Sequence, residues 1–487
     1  MQEALLKVVA TVNSYLTDYV LIFLLIGVGL FFTIRTKFVQ VRCFGEGMKN
    51  VFGKLSLKGG SQGGGLSSFQ ALATAIAAQV GTGNIVGACG AILIGGPGAI
   101  FWMWIIAFLG MATIYAEATL AQKTRKVNED GTVEGGPVYY IKTAFTGKFG
   151  KFLAVFFAIA TMLALGFMGS MVQSNSIAGT MGKAFNIGES FYWIIGIAVA
   201  VLAGVVFLGG VNRLASVTEK MVPIMACLYL IGSLIVIFAR IRYVPETFGM
   251  IFKYAFNANA LIGGGIGYAL KTAISQGAKR GLFSNEAGMG STPHAHAQAN
   301  VKTAHEQGTT AMIGVFIDTF VVLTVTALVV ISTLYAGGGV LGDPATYTME
   351  GALAAFPKAN LAQMAFGSIF WGETFGSIFV AVCLFFFAFS TILSWNFFGK
   401  INFEYLFGKK YTVVYTAIAI VFVFLGSIFS NDLVWELTDF FNYLMVLPNV
   451  IALVALGSMV LSALKEGKAA KEAAVLSAKV AEESTEE

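Results

Sequence analysis

Two apolar stretches of this chain, each about long enough to cross a bilayer, are interrupted by glycines and polar side chains. The first holds Ala77-Ala78-Gln79-Val80-Gly81-Thr82-Gly83-Asn84. Close helix packing explains small residues, but not Gln79, Thr82 and Asn84 together at membrane depth. Backbone released from a helix in hydrocarbon must find partners or line a wet cavity. The pattern therefore predicts a broken helix, whose freed carbonyls can hold a cation and whose N–H groups can hold a carboxylate. The second stretch carries Gly263-Gly264-Gly265, then Ser275-Gln276-Gly277, then a run from Lys279 to Gly290. A helix from Leu261 to Gly277 rises about 25 Å. Ser275–Gly277 is then either an intramembrane break or the cytoplasmic end of the span.

With these two, about eleven stretches suit roughly 30 Å of hydrocarbon: 16–34, 67–94, 98–121, 151–181, 191–211, 217–239, 260–290, 308–336, 372–398, 411–429 and 438–463. Residues are 57% hydrophobic and 12% charged, where a soluble domain carries roughly 25% charged. The fold class is an all-α membrane protein. The first stretch is followed, not preceded, by Arg35 and Lys37 and lacks a small-residue cleavage site, so it reads as a retained span. A net charge of +5 calls for no nucleic-acid partner, and the four cysteines stand singly.

With the N-terminus outside, 24 of the 31 Lys and Arg fall on inner segments, six on outer ones and Lys271 within a span. Basic residues are retained on the cytoplasmic side. The expected localisation is the cell membrane, multi-pass, with the C-terminus cytoplasmic. Setting the first span aside, the other ten form two sets of five, each opened by an interrupted stretch. Five is odd, so the sets run in opposite senses, as in an inverted-repeat transporter with its site at the midplane. The expected division is 1–66 (an additional helix and a basic loop), 67–240 and 241–463 (the repeats), and 464–487. The last segment reads as a solvated, partly disordered tail.

The run Gly96-Pro97-Gly98-Ala99-Ile100-Phe101-Trp102-Met103-Trp104-Ile105-Ile106-Ala107-Phe108-Leu109-Gly110 resembles the signature of the alanine or glycine:cation symporter family. Ala78 to Asn84 and Ser284-Asn285-Glu286-Ala287-Gly288-Met289-Gly290-Ser291-Thr292-Pro293-His294-Ala295-His296-Ala297 are similar to the same family, and the likeness runs through nearly all the chain outside the tail. The resemblance implies a LeuT-like fold and alternating-access symport of a small neutral amino acid, alanine or glycine, into the cell. Coupling would be to inward sodium or, as the alternative, to protons.

Ala77–Asn84 is also distantly similar to the Gly-Asn-Ala-Val-Gly-Leu-Gly-Asn break of the leucine transporter LeuT. By position this implies one Na+ held by the carbonyls of Ala77 and Val80 and the hydroxyls of Ser390 and Thr391, hard cations preferring oxygen. It implies that the N–H groups of Thr82 and Gly83 face the substrate carboxylate. Glu117 is implied to accept N–H bonds from the broken half of the second interrupted helix. A second sodium would need Asn84, the carbonyl of Gln79 and a threonine where the alignment places Ala273. Gln79 is bulky enough to fill that space, so one sodium per cycle is expected.

A small amino acid needs backbone and uncharged polar groups for its two charged ends. Ser275 and the carbonyls of Gln276 and Gly277 are candidates for the ammonium, and Gln79 for a further contact. Trp395 lies one turn past Thr391, where it either shrinks the cavity or packs the bundle. One of Gln173 and Asn175 is expected to line the pocket and the other to bond a neighbour. Lys271 could face the outer vestibule, snorkel outward or pair with an acid such as Glu117, and it is assigned to the vestibule. Two other classes share parts of this pattern. Broken helices also line channel filters, and His294, His296 and His305 offer a zinc half-site. No carboxylate or cysteine stands at ligand spacing beside them, so the chain is not read as an enzyme. Nothing in the sequence indicates an oligomeric state.

Overall fold

A computed structural model describes residues 2–53, 66–129, 131–256, 266–342, 358–370 and 372–486; Gly263-Gly264-Gly265 lies outside them. Among the described residues, nine helices are long and apolar enough to cross a membrane, and a bent pair makes a tenth crossing. The bent pair is α3 (Ser68–Gln79) and α4 (Gly83–Gly95), inclined at 43°. A capping box formed by Ser67 and Gln70 starts α3. Val80 ends it with φ −80° and ψ 86°. The expected break lies where Gly81 and Gly83 interrupt the ladder.

Ahead of the pair come α1 (Glu3–Arg35) and the short α2 (Phe44–Phe52). After it come α5 (Gly98–Thr124), α6 (Gly147–Phe185), α7 (Glu189–Phe207) and α8 (Gly210–Ala239). A second set follows α9 (Val244–Phe256). It begins with α10 (Ile266–Asn285) and the short α11 (Pro293–Gln298) and continues with α12 (Ala304–Leu334), α13 (Glu373–Phe407), α14 (Lys409–Gly426) and α15 (Asn431–Ala455). The sets match member by member. The third helix is the longest in each, at 39 and 35 residues, and the fourth is the shortest continuous one, at 19 and 18. The fifth holds an internal proline in each, Pro223 and Pro448. Leu66 pairs in parallel with Ala299 and Ser67 with Asn300. The first broken span thus begins where the second ends, the signature of inversion.

Apolar side chains on the outside of α7 and α8, among them Val201, Leu202, Ile231, Leu234 and Phe238, are exposed. Such faces suit hydrocarbon, not water. The broken spans lie inside, with α3 packed between α8 and α13 and α10 between α4 and α5.

Several expectations are corrected. Helix α10 runs unbroken through Ser275-Gln276-Gly277, which is neither a break nor a helix end. The interruption comes ten residues later, at 286–292, between α10 and α11. Lys279 and Arg280 therefore sit within a helix and not in an inner loop. Their charges are met by Asp439 at 2.8 and 3.4 Å, with Glu436 3.2 Å from Lys279. Removing the two from the inner tally does not reverse the excess. With three basic residues, α10 is not among the helices apolar enough to cross, so eleven such spans are not found among the described residues. Helix α15 starts at Asn431, not 438, because its early acids have partners: Lys358 for Asp432, Asn13 and Lys279 for Glu436. The tail is helical, α16 (Gly457–Glu486). Its Ala, Lys and Glu are good helix formers, and Lys123–Glu466 and Glu46–Lys471 pairs tie it to the body.

Candidate functional site

At the first break, each carbonyl released from α3 has an identifiable reason for its release. The Gly81 N–H, which would close a turn on Ala77, donates instead to Asn84 Oδ1 at 2.9 Å. The Asn84 N–H, which would close on Val80, bonds the Gly81 carbonyl. Helix α13 supplies hydroxyls to this opening. Thr391 Oγ1 lies 2.9 Å from the Ala77 carbonyl oxygen and Ser390 Oγ lies 3.4 Å from it. Both hydroxyls also reach the Phe387 carbonyl, at 3.0 and 2.9 Å, which adds an oxygen that sequence reasoning missed. A Cβ at Gly81 would run into Thr391 Oγ1, so the close approach requires glycine. Three of the four sequence-derived ion ligands, Ala77, Ser390 and Thr391, are thereby brought into contact, and Val80 lies three residues along the same break.

On the other side of the break, Thr82 meets α6. Its N–H and Oγ1 donate to Gln173 Oε1, at 3.2 and 2.5 Å. Gln173 Nε2 is buried with no partner among the described residues, as are Gln79 Oε1, Asn285 Nδ2 and Ser394 Oγ. A buried polar atom without a partner is costly, and Gln79 and Gln173 hold two of these at the first break. Gly83 packs within about 3 Å of Ser284 and Phe283, measured from where its Cβ would be. Gln173 faces the break, while Asn175 donates to the carbonyls of Gly426 and Phe429, both at 2.9 Å.

The second break uses left-handed backbone. Gly288 and Gly290 have φ of +92° and +78°, and Glu286 has φ +58°, which L side chains rarely adopt. Residues held so cluster at functional sites. Glu117 on α5 accepts the N–H groups of Gly288 at 3.1 Å and Gly290 at 2.9 Å, and Asn449 of α15 at 2.6 Å. Trp395 Nε1 donates to Glu286 Oε1 at 2.5 Å, Ser291 donates to Oε2, and the Trp395 ring lies edge-on to Phe283. Gln79 Nε2 donates to the Asn285 carbonyl at 2.8 Å, which joins the two breaks directly.

Two acids were not singled out by sequence reasoning. Glu286 lay inside a quoted motif. Asp318 on α12 is buried and takes hydrogen bonds from Asn84 Nδ2 at 2.6 Å, Ser284 Oγ at 3.0 Å and Thr319 Oγ1 at 2.7 Å. Its signal was available: an ionisable residue within a span is a functional candidate by default. Ser284, and not Ala273, is thus the hydroxyl beside Asn84. Ala273 packs under Gly95.

Ser275, Gln276 and Gly277 are not brought to the breaks. Ser275 donates to Asp18 of α1 at 2.8 Å, Gly277 lies against Trp102, and Gln276 lines a groove of about 270 Å³ with Asn13, Lys271 and Glu436. Lys271 pairs with Asp18 at 2.7 Å, not with Glu117. The three histidines are separated. His294 lies between Ser291 and Asn402, His296 meets Gln307, and His305 meets Tyr115.

Residues 2–481 match the family described as the Sodium:alanine symporter family. The sodium/alanine symporter AgcS of Methanococcus maripaludis is 38% identical over 94% of this chain and 96% of its own length. The putative sodium/proton-dependent alanine carrier protein YrbD of Bacillus subtilis is 40% identical over 94% of this chain and 91% of its own. The crystal structure of MhsT in complex with L-phenylalanine has a TM-score of 0.58 at 12% identity, covering 81% of this chain and 90% of that one, and it shows the fold alone, a LeuT-like one. The chain is a multi-pass membrane transport protein for cation-coupled amino-acid movement, and it belongs to the sodium:alanine symporter family.

Proposed function

We propose that the protein carries alanine or glycine into the cell with sodium by alternating access, the N-terminus outside and the C-terminus cytoplasmic. The observation that carries this is the meeting of the Ser390 and Thr391 hydroxyls with the Ala77 carbonyl released at the first break. Ala77, Val80, Ser390 and Thr391 supply the neutral oxygens a sodium ion takes, with the Phe387 carbonyl beside them. Thr82 and Gly83 offer N–H groups to the substrate carboxylate. Gln173 Oε1 holds the Thr82 N–H here and gives way to a carboxylate oxygen when substrate enters. Glu286 draws the ammonium, and Trp395 closes the wall around a short side chain. Sodium supplies about 2.3 kcal/mol per 100 mV plus about 1.4 kcal/mol per tenfold gradient. Together these sustain accumulation of several hundredfold.

Proton coupling is a second reading, favoured by one observation. Asp318 is buried among the neutral donors Asn84, Ser284 and Thr319. A carboxylate so placed is costly unless a cation or a proton meets it. The test is uptake of labelled alanine into proteoliposomes under an imposed sodium gradient, with potassium replacing sodium, or under a pH gradient. Concentrative uptake with sodium alone supports the first reading. Uptake that follows pH and ignores sodium moves the coupling to protons. No uptake under either gradient removes the substrate assignment.

A further inference from the structure

The sequence shows no ligand beside His305, but folding brings two from a distant segment. Helix α2 crosses α12 so closely that a Cβ at Gly47 would sit 2.7 Å from the Thr309 carbonyl oxygen. This crossing sets Cys43 and Glu46, three residues apart, against His305 near the start of α12. The Cys43 Sγ, a Glu46 carboxylate oxygen and a His305 ring nitrogen all lie within 4.8 Å of one another. Cys43 and His305 are buried, and Glu46 is 22% exposed. Tyr115 Oη, 2.7 Å from His305 Nδ1, fixes the ring so that Nε2 faces the other two groups. That Nε2 is buried without a hydrogen-bond partner among the described residues, its nearest acid being Glu46 Oε1 at 3.4 Å.

We propose that Cys43, Glu46 and His305 form a binding site for a borderline-soft divalent transition metal, zinc being the natural occupant. Thiolate, imidazole and carboxylate are the three zinc donors, and a thiolate disfavours sodium or magnesium. Tyr115 plays the outer-shell part, orienting the imidazole from its other nitrogen. A fourth position faces the cleft of about 500 Å³ lined by Arg42, Lys468, Lys471 and Glu472, where water can complete a tetrahedron.

The surroundings set terms on this site. Lys471 of α16 now pairs with Glu46 at 3.0 Å, and its side chain is 61% exposed, so it can swing away. A metal ion and Lys471 compete for one carboxylate, which makes occupancy and the seating of α16 antagonistic. Helix α16 also lies directly on the imidazole, since a Cβ at Gly467 would run into the His305 ring.

The experiment is titration of the purified full chain in detergent with Zn2+, and separately with Co2+ as a spectroscopic probe. We expect one ion per chain, a thiolate-to-cobalt charge-transfer band, and loss of that band in Cys43→Ser. Affinity should fall at least tenfold in Glu46→Gln and rise several-fold in Lys471→Ala, a surface change that leaves folding intact. A stoichiometry well below one, or a cobalt spectrum unchanged by Cys43→Ser, overturns the proposal. So does a zinc affinity indifferent to both Glu46→Gln and Lys471→Ala.

Discussion

Thr391 Oγ1 donates to the carbonyl oxygen of Ala77 at 2.9 Å, across a separation of 314 residues. The contact joins the third helix of the second repeat to the break in the first. Any ion bound there has its ligands on both repeats, so its binding and release are tied to their relative movement. This is the physical requirement for coupling: the ion must have different affinity for the two arrangements.

Removing that hydroxyl should weaken ion activation specifically. We expect Thr391→Ala to raise the sodium concentration for half-maximal alanine uptake about tenfold or more, the loss of one ligand at roughly 1–2 kcal/mol. Thr391→Ser should stay within about threefold. Sodium titration of uptake in proteoliposomes checks both. Gly81→Ala should act more severely, because its methyl group would occupy the position of Thr391 Oγ1.

Glu117 is expected to act through the fold. Its carboxylate gathers two backbone N–H groups and the Asn449 amide in a buried place. Glu117→Ala leaves three donors unmet, at about 1–3 kcal/mol each before relaxation. Lower thermal stability and lost transport should appear together. Glu117→Gln keeps one acceptor oxygen and should fall between.

Trp395 tests the size of the substrate. Its ring fills the space against Gly169, where a Cβ would strike it, and lies edge-on to Phe283. Trp395→Leu should let leucine or valine compete with labelled alanine where the parent protein ignores them. Competition assays at fixed sodium read this directly.

The C-terminal half of α10 is fastened to α15 by charge. Asp439 is 1% exposed and faces both Lys279 and Arg280. Asp439→Ala leaves Arg280 without its acid and Lys279 with Glu436 alone, in a poorly solvated place, and should cost about 3 kcal/mol or more. The paired change Lys279→Met with Asp439→Leu should recover part of that loss. Thermal unfolding in detergent distinguishes the two.

Much of this was legible in the sequence because hydrocarbon punishes unpaired backbone. Gln79, Thr82 and Asn84 around Gly81 and Gly83 pointed to a break, and the structure bends there. The second break was misplaced for the same kind of reason. Ser275–Gly277 looks like an interruption, yet Gly277 only lets α10 approach Trp102, and Ser275 meets Asp18 from a helix outside the repeats. The true interruption, Glu286 to Thr292, is marked by glycines whose left-handed φ no composition rule reveals. Asp318 was legible as a lone acid in an apolar run, but not its partners Asn84 and Ser284, which come from two other helices. The Cys43, Glu46 and His305 cluster was invisible for the same cause, since helix crossing and not sequence spacing brings it together.

The most direct test is alanine-evoked entry of labelled sodium into proteoliposomes, comparing the parent protein with Thr391→Ala. Alanine added outside should drive sodium inward in the parent, and Thr391→Ala should lose that flux at moderate sodium. Alanine uptake that proceeds with no movement of sodium would contradict the coupling placed at Ala77, Ser390 and Thr391.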